Sequence, residues 1–143
     1  MVAAFVVCGL SKASAVDVTI YQTDYENTRR AYSVPEGQLL RRDNRWNPAS
    51  QDLPIDIASR AEVARQHLMT KKKPERELKL FKCSLARYSG RGLQNDGPWY
   101  LLFMYGYESR EPRGSIETSL KYIVVMLLDG TIANETTTVL TAP

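Results

Sequence analysis

The sequence predicts an α+β fold, one helix packed across a curved antiparallel sheet of about four strands with an extended N-terminal arm. Three observations carry this expectation. Apolar residues recur at helical spacing over residues 56–70, two-sided apolar strand patterns fill residues 99–107 and 121–128, and residues 22–45 are polar with a single short apolar group. The 143 residues, 43 % hydrophobic and 24 % charged, suit one domain with one core. With 19 basic and 16 acidic residues the formal charge of +3 pulls only weakly on anionic partners, which argues against a dedicated nucleic-acid binder.

Residues 1–15 read as a signal peptide. Val2 to Leu10 is almost wholly apolar, and Ala13-Ser14-Ala15 has the small-x-small pattern that precedes cleavage, so the mature chain is expected to begin at Val16. Only Met1 stands where a basic leading segment belongs, so the sequence is expected to start inside a longer signal. The alternative is a buried N-terminal strand or helix. Nine apolar residues fall short of the ~20 needed to cross a bilayer as a helix, and no stable membrane insertion is expected. Cleavage would remove Cys8 and leave Cys83 as the one cysteine, expected to be a buried small hydrophobe in a strand.

Residues 16–54 are expected to form an N-terminal strand and an extended arm, and residues 55–143 the helix-plus-sheet domain. Val16 to Tyr21 alternates apolar and polar with β-branched residues, the pattern of a half-buried strand. Beyond it, Arg29-Arg30, Arg41-Arg42 and Arg45 mark a polar arm. Pro48 and Pro54 hold their predecessors extended, with Trp46 and Leu53 as anchors on the domain.

The helix rests on Ile57, Ala61, Ala64 and Leu68, which trace one face. Asp56 or Ser59 caps its start, Lys71-Lys72-Lys73 suits its negative pole, and Pro74 prevents continuation. Residues 77–88 then read as a strand covered on both faces for part of its length, with a longer helix as the rival. Residues 89–98 are loop by composition. Trp99 to Tyr107 and Lys121 to Leu128 are central strands, joined by a charged loop over residues 108–118, and Asp129-Gly130 makes a tight turn. The tail from Asn134 either extends an edge or frays.

No residue cluster names a reaction. His67 is the sole histidine, which removes multi-histidine metal sites, and the acidic residues show no spacing that fixes a carboxylate pair. Gly90-Arg91-Gly92 lacks the lysine and hydroxyl residue of a phosphate loop. No catalytic residue, metal or cofactor is therefore expected. The aromatic residues of the strand at 99–107 read as core, which leaves Tyr100 on the less covered face, the loop residues Asp96 and Arg110, and Arg41, Arg42 and Arg45 of the arm as candidate partner-binding residues.

One helix followed by three antiparallel strands resembles the small exported cystatin-like and PepSY-like domains. The likeness is carried by Ala61-Glu62-Val63-Ala64 on the helix, Trp99-Tyr100 opening a strand, and Val124 to Leu128 running into Asp129-Gly130-Thr131-Ile132. It spans about residues 55–133 and leaves the arm outside. It implies an exported module, periplasmic or secreted, that binds or inhibits another protein. The inhibitory Gln-x-Val-x-Gly hairpin of cystatins is absent. Two alternatives remain: a small enzyme or ligand-binding protein with a pocket between helix and sheet at His67 or Tyr105, and an immunity-type protein that neutralises one partner.

Overall fold

The computed structural model describes residues 16–108 and 116–141. The signal expected over residues 1–15 and the candidate Arg110 lie outside them.

The chain builds three layers rather than two. Strands β3 (Lys79–Arg87), β4 (Trp99–Glu108) and β5 (Ile116–Leu127) form an antiparallel sheet in the order β3-β4-β5. A second antiparallel sheet has the order β1-β2-β6 and comprises β1 (Asp17–Tyr25), β2 (Thr28–Pro35) and β6 (Asn134–Val139). This overturns the expectation of one helix across a single sheet of about four strands with an extended arm: β1 forms where a half-buried strand is expected over residues 16–21, but it belongs to a second sheet, and the segment read as an arm supplies the end of β1 and all of β2. The physical reason lies in one-sided burial. β1 buries Val18 and Ile20 and β2 buries Tyr32 and Val34, while their other faces meet solvent. The alternation of β1 is legible, but β2 has only two inward apolar residues, a weak alternation that Arg29 and Arg30 before them mask. The hairpin turn is also unusual, because Glu26 takes φ 53 where glycine or asparagine is the common choice.

The middle sheet is apolar on both faces because both are covered. Leu102, Met104, Ile123, Val125 and Leu127 meet Val18, Ile20, Tyr32 and Val34 of the outer sheet. On the opposite face Leu101, Phe103, Tyr105, Val124 and Met126 meet Ala64 and Leu68 of helix α2 (Ile57–Lys72). Each such side chain, fully buried, contributes about 1.5–3 kcal/mol of transfer free energy, so the aromatic residues of β4 are core.

Helix α2 follows its predicted course. Asp56 is the cap, its carboxylate accepting from the Ala58 N–H at 3.1 Å, and Lys73 ends the helix in the left-handed region at φ 45, just before Pro74. Ile57, expected on the buried face, is 37 % exposed, so the contact face starts a turn later at Ala61.

Strand β3 lies at the sheet edge and is covered on both faces for part of its length, Phe81 against one core and Leu85 against the other, but Cys83, expected to be buried, is exposed. Cys83 lies opposite Phe103 and shares its face, but α2 covers β4 and β5 and leaves the β3 edge open. The Asp129-Gly130 turn forms as expected, with Gly130 at φ 93 and its N–H donating to the Leu127 carbonyl at 3.0 Å. Ile132 bridges to Met126, after which the chain crosses to the outer sheet and β6 pairs with β2. The threonine-rich tail is thus a paired strand. Among the described residues no helix is long and apolar enough to cross a membrane.

Candidate functional site

Between β2 and α2 the chain runs over the end of the layers where β5 turns. It forms a single helical turn α1 (Glu36–Leu39), then a 3₁₀ turn over Arg42–Asn44, and leads to Trp46. Leu39 and Asn44 are its buried residues, and Asn44 is 0 % exposed. A buried amide must find partners, and Asn44 finds three. Its Nδ2 donates to the Gln38 carbonyl at 2.8 Å and to Asp129 Oδ2 at 3.2 Å, while its Oδ1 accepts from the Asp129 N–H at 2.9 Å. Gln38 Nε2 donates to the same carboxylate at 2.9 Å and to Thr131 Oγ1 at 2.7 Å, and the Thr131 N–H donates to Asp129 Oδ1 at 2.9 Å. Burial opposes ionisation of Asp129, but its hydrogen bonds from Thr131, Asn44 and Gln38 outweigh it and hold the carboxyl below its usual range. The network locks the 36–45 segment to the β5 turn.

With Asn44 turned inward, the arginines around it face outward. Arg42 and Arg45, together with Gln51, form a wall shared by two adjoining clefts. The first, of about 800 Å³, is completed by Trp46, Arg87, Asn95 and Asp96. The second, of about 500 Å³, is completed by Arg41, Asp43, Arg60 and Asp129. Five arginines therefore meet three aspartates along this surface.

Most of these groups are already engaged. Arg87 stacks over the Trp99 ring at 5.1 Å and donates to the Asn95 carbonyl, and Arg60 donates to the Leu128 carbonyl at 3.1 Å. Arg41 lies 3.9 Å from Asp43, and Asp129 belongs to the lock. Trp46 and Trp99 meet edge to face at 5.1 Å; the Trp99 indole donates to the Trp46 carbonyl at 2.9 Å and the Trp46 indole to the Gln51 carbonyl at 3.0 Å. The far wall is the loop after β3. It is pinned by Arg91 to Glu36 at 2.6 Å and by the close approach of Gly97 to the Tyr88 carbonyl, which leaves no room for a β-carbon. The side chains of Arg42, Arg45 and Asp96 have no hydrogen-bond or ion-pair partner among the described residues.

Of the residues singled out in the sequence, Arg41, Arg42, Arg45 and Asp96 come together at this wall. Tyr100 does not. It points away from Trp99, half-buried against the core between the two sheets, and burial pushes its phenol up. Sequence reading missed Arg60, Arg87, Gln38 and Asn44. Arg60 and Arg87 carry no local signal because α2 and β3 bring them in from far along the chain. For Asn44 the only hint was an uncharged polar residue inside a basic run.

A second cavity of about 370 Å³ lies between the end of α2 and the β5–β6 crossing, lined by His67, Lys71, Lys72, Tyr32 and Glu135 over Leu68 and Ile123. Glu135 is occupied by Lys72 at 2.9 Å and by the Tyr32 hydroxyl at 3.4 Å. Burial and then Lys71 lower the His67 pKa, against the opposing pull of Glu135. Tyr105, the other polar group weighed for a pocket, donates its hydroxyl to the Ala61 carbonyl beneath α2. Among the described residues no three histidine, cysteine or acidic side chains are grouped to hold a metal ion. The chain matches no protein-family model, no curated protein and no solved structure.

Proposed function

We propose that the protein is a non-catalytic binding or inhibitory module that acts on a protein partner in the cell envelope or outside the cell. The observation that supports this reading is the wall of Arg42 and Arg45, two cations without a partner among the described residues on a backbone fixed by a buried amide. A rigid, polar-lined concavity holding unspent charge is what a recognition surface requires. The export part of the reading draws on the apolar run and Ala13-Ser14-Ala15. The resemblance of residues 55–133 to small exported cystatin-like and PepSY-like domains, drawn from the sequence alone, points the same way.

A photo-crosslinking residue at Gln51, on the shared wall, and another at Tyr25, at the far end of the β1–β2 hairpin, test this in the native extracytoplasmic fraction. The proposal expects one stoichiometric protein adduct from Gln51 only, lost when Arg42 and Arg45 are both alanine. No adduct from either position, or equal adducts from both, would overturn it.

The cavity at His67 favours a second reading, a small ligand-binding protein with its pocket between helix and sheet. A ligand displaced by the crowding substitution Ala133→Phe, with the Gln51 adduct unchanged, would identify it.

A further inference from the structure

Building on the binding-module reading, we infer that the arginine wall recognises an extended acidic segment of the partner in which carboxylates alternate, an acidic-x-acidic pattern. A 3₁₀ turn advances ~2.0 Å per residue, so the backbone positions of Arg42 and of Arg45, the extended residue that ends the turn, lie about 6 Å apart along its axis, and both side chains line the same two clefts. The Arg45 N–H donates to the Arg42 carbonyl at 3.0 Å, which fixes that spacing, and Asn44 on the opposite side is sealed in the lock. In an extended strand, side chains two residues apart also share a face, about 6.7 Å apart. Two carboxylates at positions i and i+2 of a strand therefore match the two guanidinium groups, one each. A helix presents same-face carboxylates three or four residues apart and does not match as simply.

The chemistry of the wall agrees with this register. The cations are arginines rather than lysines, and the planar guanidinium fork suits bidentate pairing with a carboxylate. Residue x of the segment points away from the arginines and can remain apolar. Asp96, without a partner among the described residues, lies on the far side of the first cleft and is placed to accept from backbone N–H groups of a segment lying between it and the wall.

The same residues argue against a nucleic acid. Asp43, Asp96 and Asp129 lie among the arginines and would repel a continuous phosphate chain. Among the described residues lining the two clefts Trp46 is the one aromatic ring, half-buried against Trp99, whereas stacking of successive bases takes several.

The test uses the protein with three fluorescent probes at 50 mM salt: the peptide Thr-Glu-Val-Glu-Val-Thr, its isomer Thr-Glu-Glu-Val-Val-Thr of equal charge and composition, and oligo-dT of matched length. The inference expects the alternating peptide to bind roughly tenfold more tightly than its isomer. Arg42→Ala and Arg45→Ala should each remove that preference, with the near-ultraviolet circular dichroism unchanged. Arg42→Lys should keep binding but lose part of the preference. Equal binding of the two peptides, no binding of either, or tighter binding of oligo-dT would overturn it. If the inference fails while Gln51 still crosslinks a protein, the binding-module reading stands without the acidic-x-acidic ligand. If the crosslink also fails, that reading falls with it.

Discussion

Replacing Asn44 by alanine should uncouple the arginine wall from the fold. Three hydrogen bonds are lost, but their consequences differ. The Gln38 carbonyl still accepts from the Arg41 N–H at 3.3 Å, and Asp129 keeps Gln38 and Thr131 as donors. The Asp129 N–H is left without its partner, which costs about 1–3 kcal/mol, and a bond to a carboxylate worth about 1.5–3 kcal/mol disappears. Allowing for water reaching a site that is only partly buried at Asp129, the total is about 3 kcal/mol. For a domain of this size each kcal/mol lowers Tm by about 2–4 °C, so the expected fall is about 9 °C. Thermal unfolding followed by circular dichroism measures it. Asn47→Ala, at an exposed asparagine two residues beyond Arg45 that bonds only locally to the Ala49 N–H, serves as the control and should cost under about 0.5 kcal/mol. If Asn44→Ala costs no more than Asn47→Ala, the lock does not hold the segment and the account of the site is wrong.

Asp129→Asn should weaken the protein at neutral pH. Because the folded carboxyl has a lowered pKa, its contribution is present above the unfolded value of ~3.9 and is lost as pH falls through the folded value. The stability gap between wild type and Asp129→Asn should therefore be full above about pH 5 and close in strong acid. A gap that widens on acidification would reverse the assigned sign. Gly97→Ala forces a β-carbon onto the Tyr88 carbonyl, a backbone atom that cannot swing aside, and should cost over about 2 kcal/mol in chemical denaturation; a neutral effect would show the loop wall is not tightly held. Leu68→Ala, at a site 2 % exposed beneath α2, should cost about 2–5 kcal/mol by the same assay. Cys83 should react with a thiol reagent under native conditions, slowly near neutral pH because partial burial pushes its thiol up. Protection until the protein is unfolded would contradict an open β3 edge.

The parts of the fold that could be read from the sequence are those whose burial is two-sided or whose ends carry chemical punctuation. Helix α2 has Asp56 at one end and Pro74 beyond the other, and β4 and β5 are apolar on both faces because each contributes to two cores. Most of the outer sheet was hidden for the opposite reason. The alternation around Val18 and Ile20 marks β1, but β2 offers only Tyr32 and Val34 after an exposed Arg29 and an Arg30 that shares their face, its side chain 16 % exposed beside Glu135. Nothing local says that β6 pairs with β2, since Asn134 and Ser33 are about a hundred residues apart. Cys83 was misjudged because its apolar neighbours describe a strand and not its position at the edge. The site divides in the same way. Arg41, Arg42 and Arg45 stand out as a basic run, and Asp96 as a loop acid, whereas the lock that makes a wall of them depends on Asp129 reaching Asn44 across the fold.

The central claim is that the wall of Arg42 and Arg45 is a recognition surface and not a solvated basic run. Quantitative capture of the crosslinked partner by wild type and by the Arg42→Ala, Arg45→Ala double variant, with Tm matched within about 2 °C, tests it most directly. The account predicts that the double variant captures less than about a tenth of the wild-type amount. Equal capture by a folded double variant would contradict it.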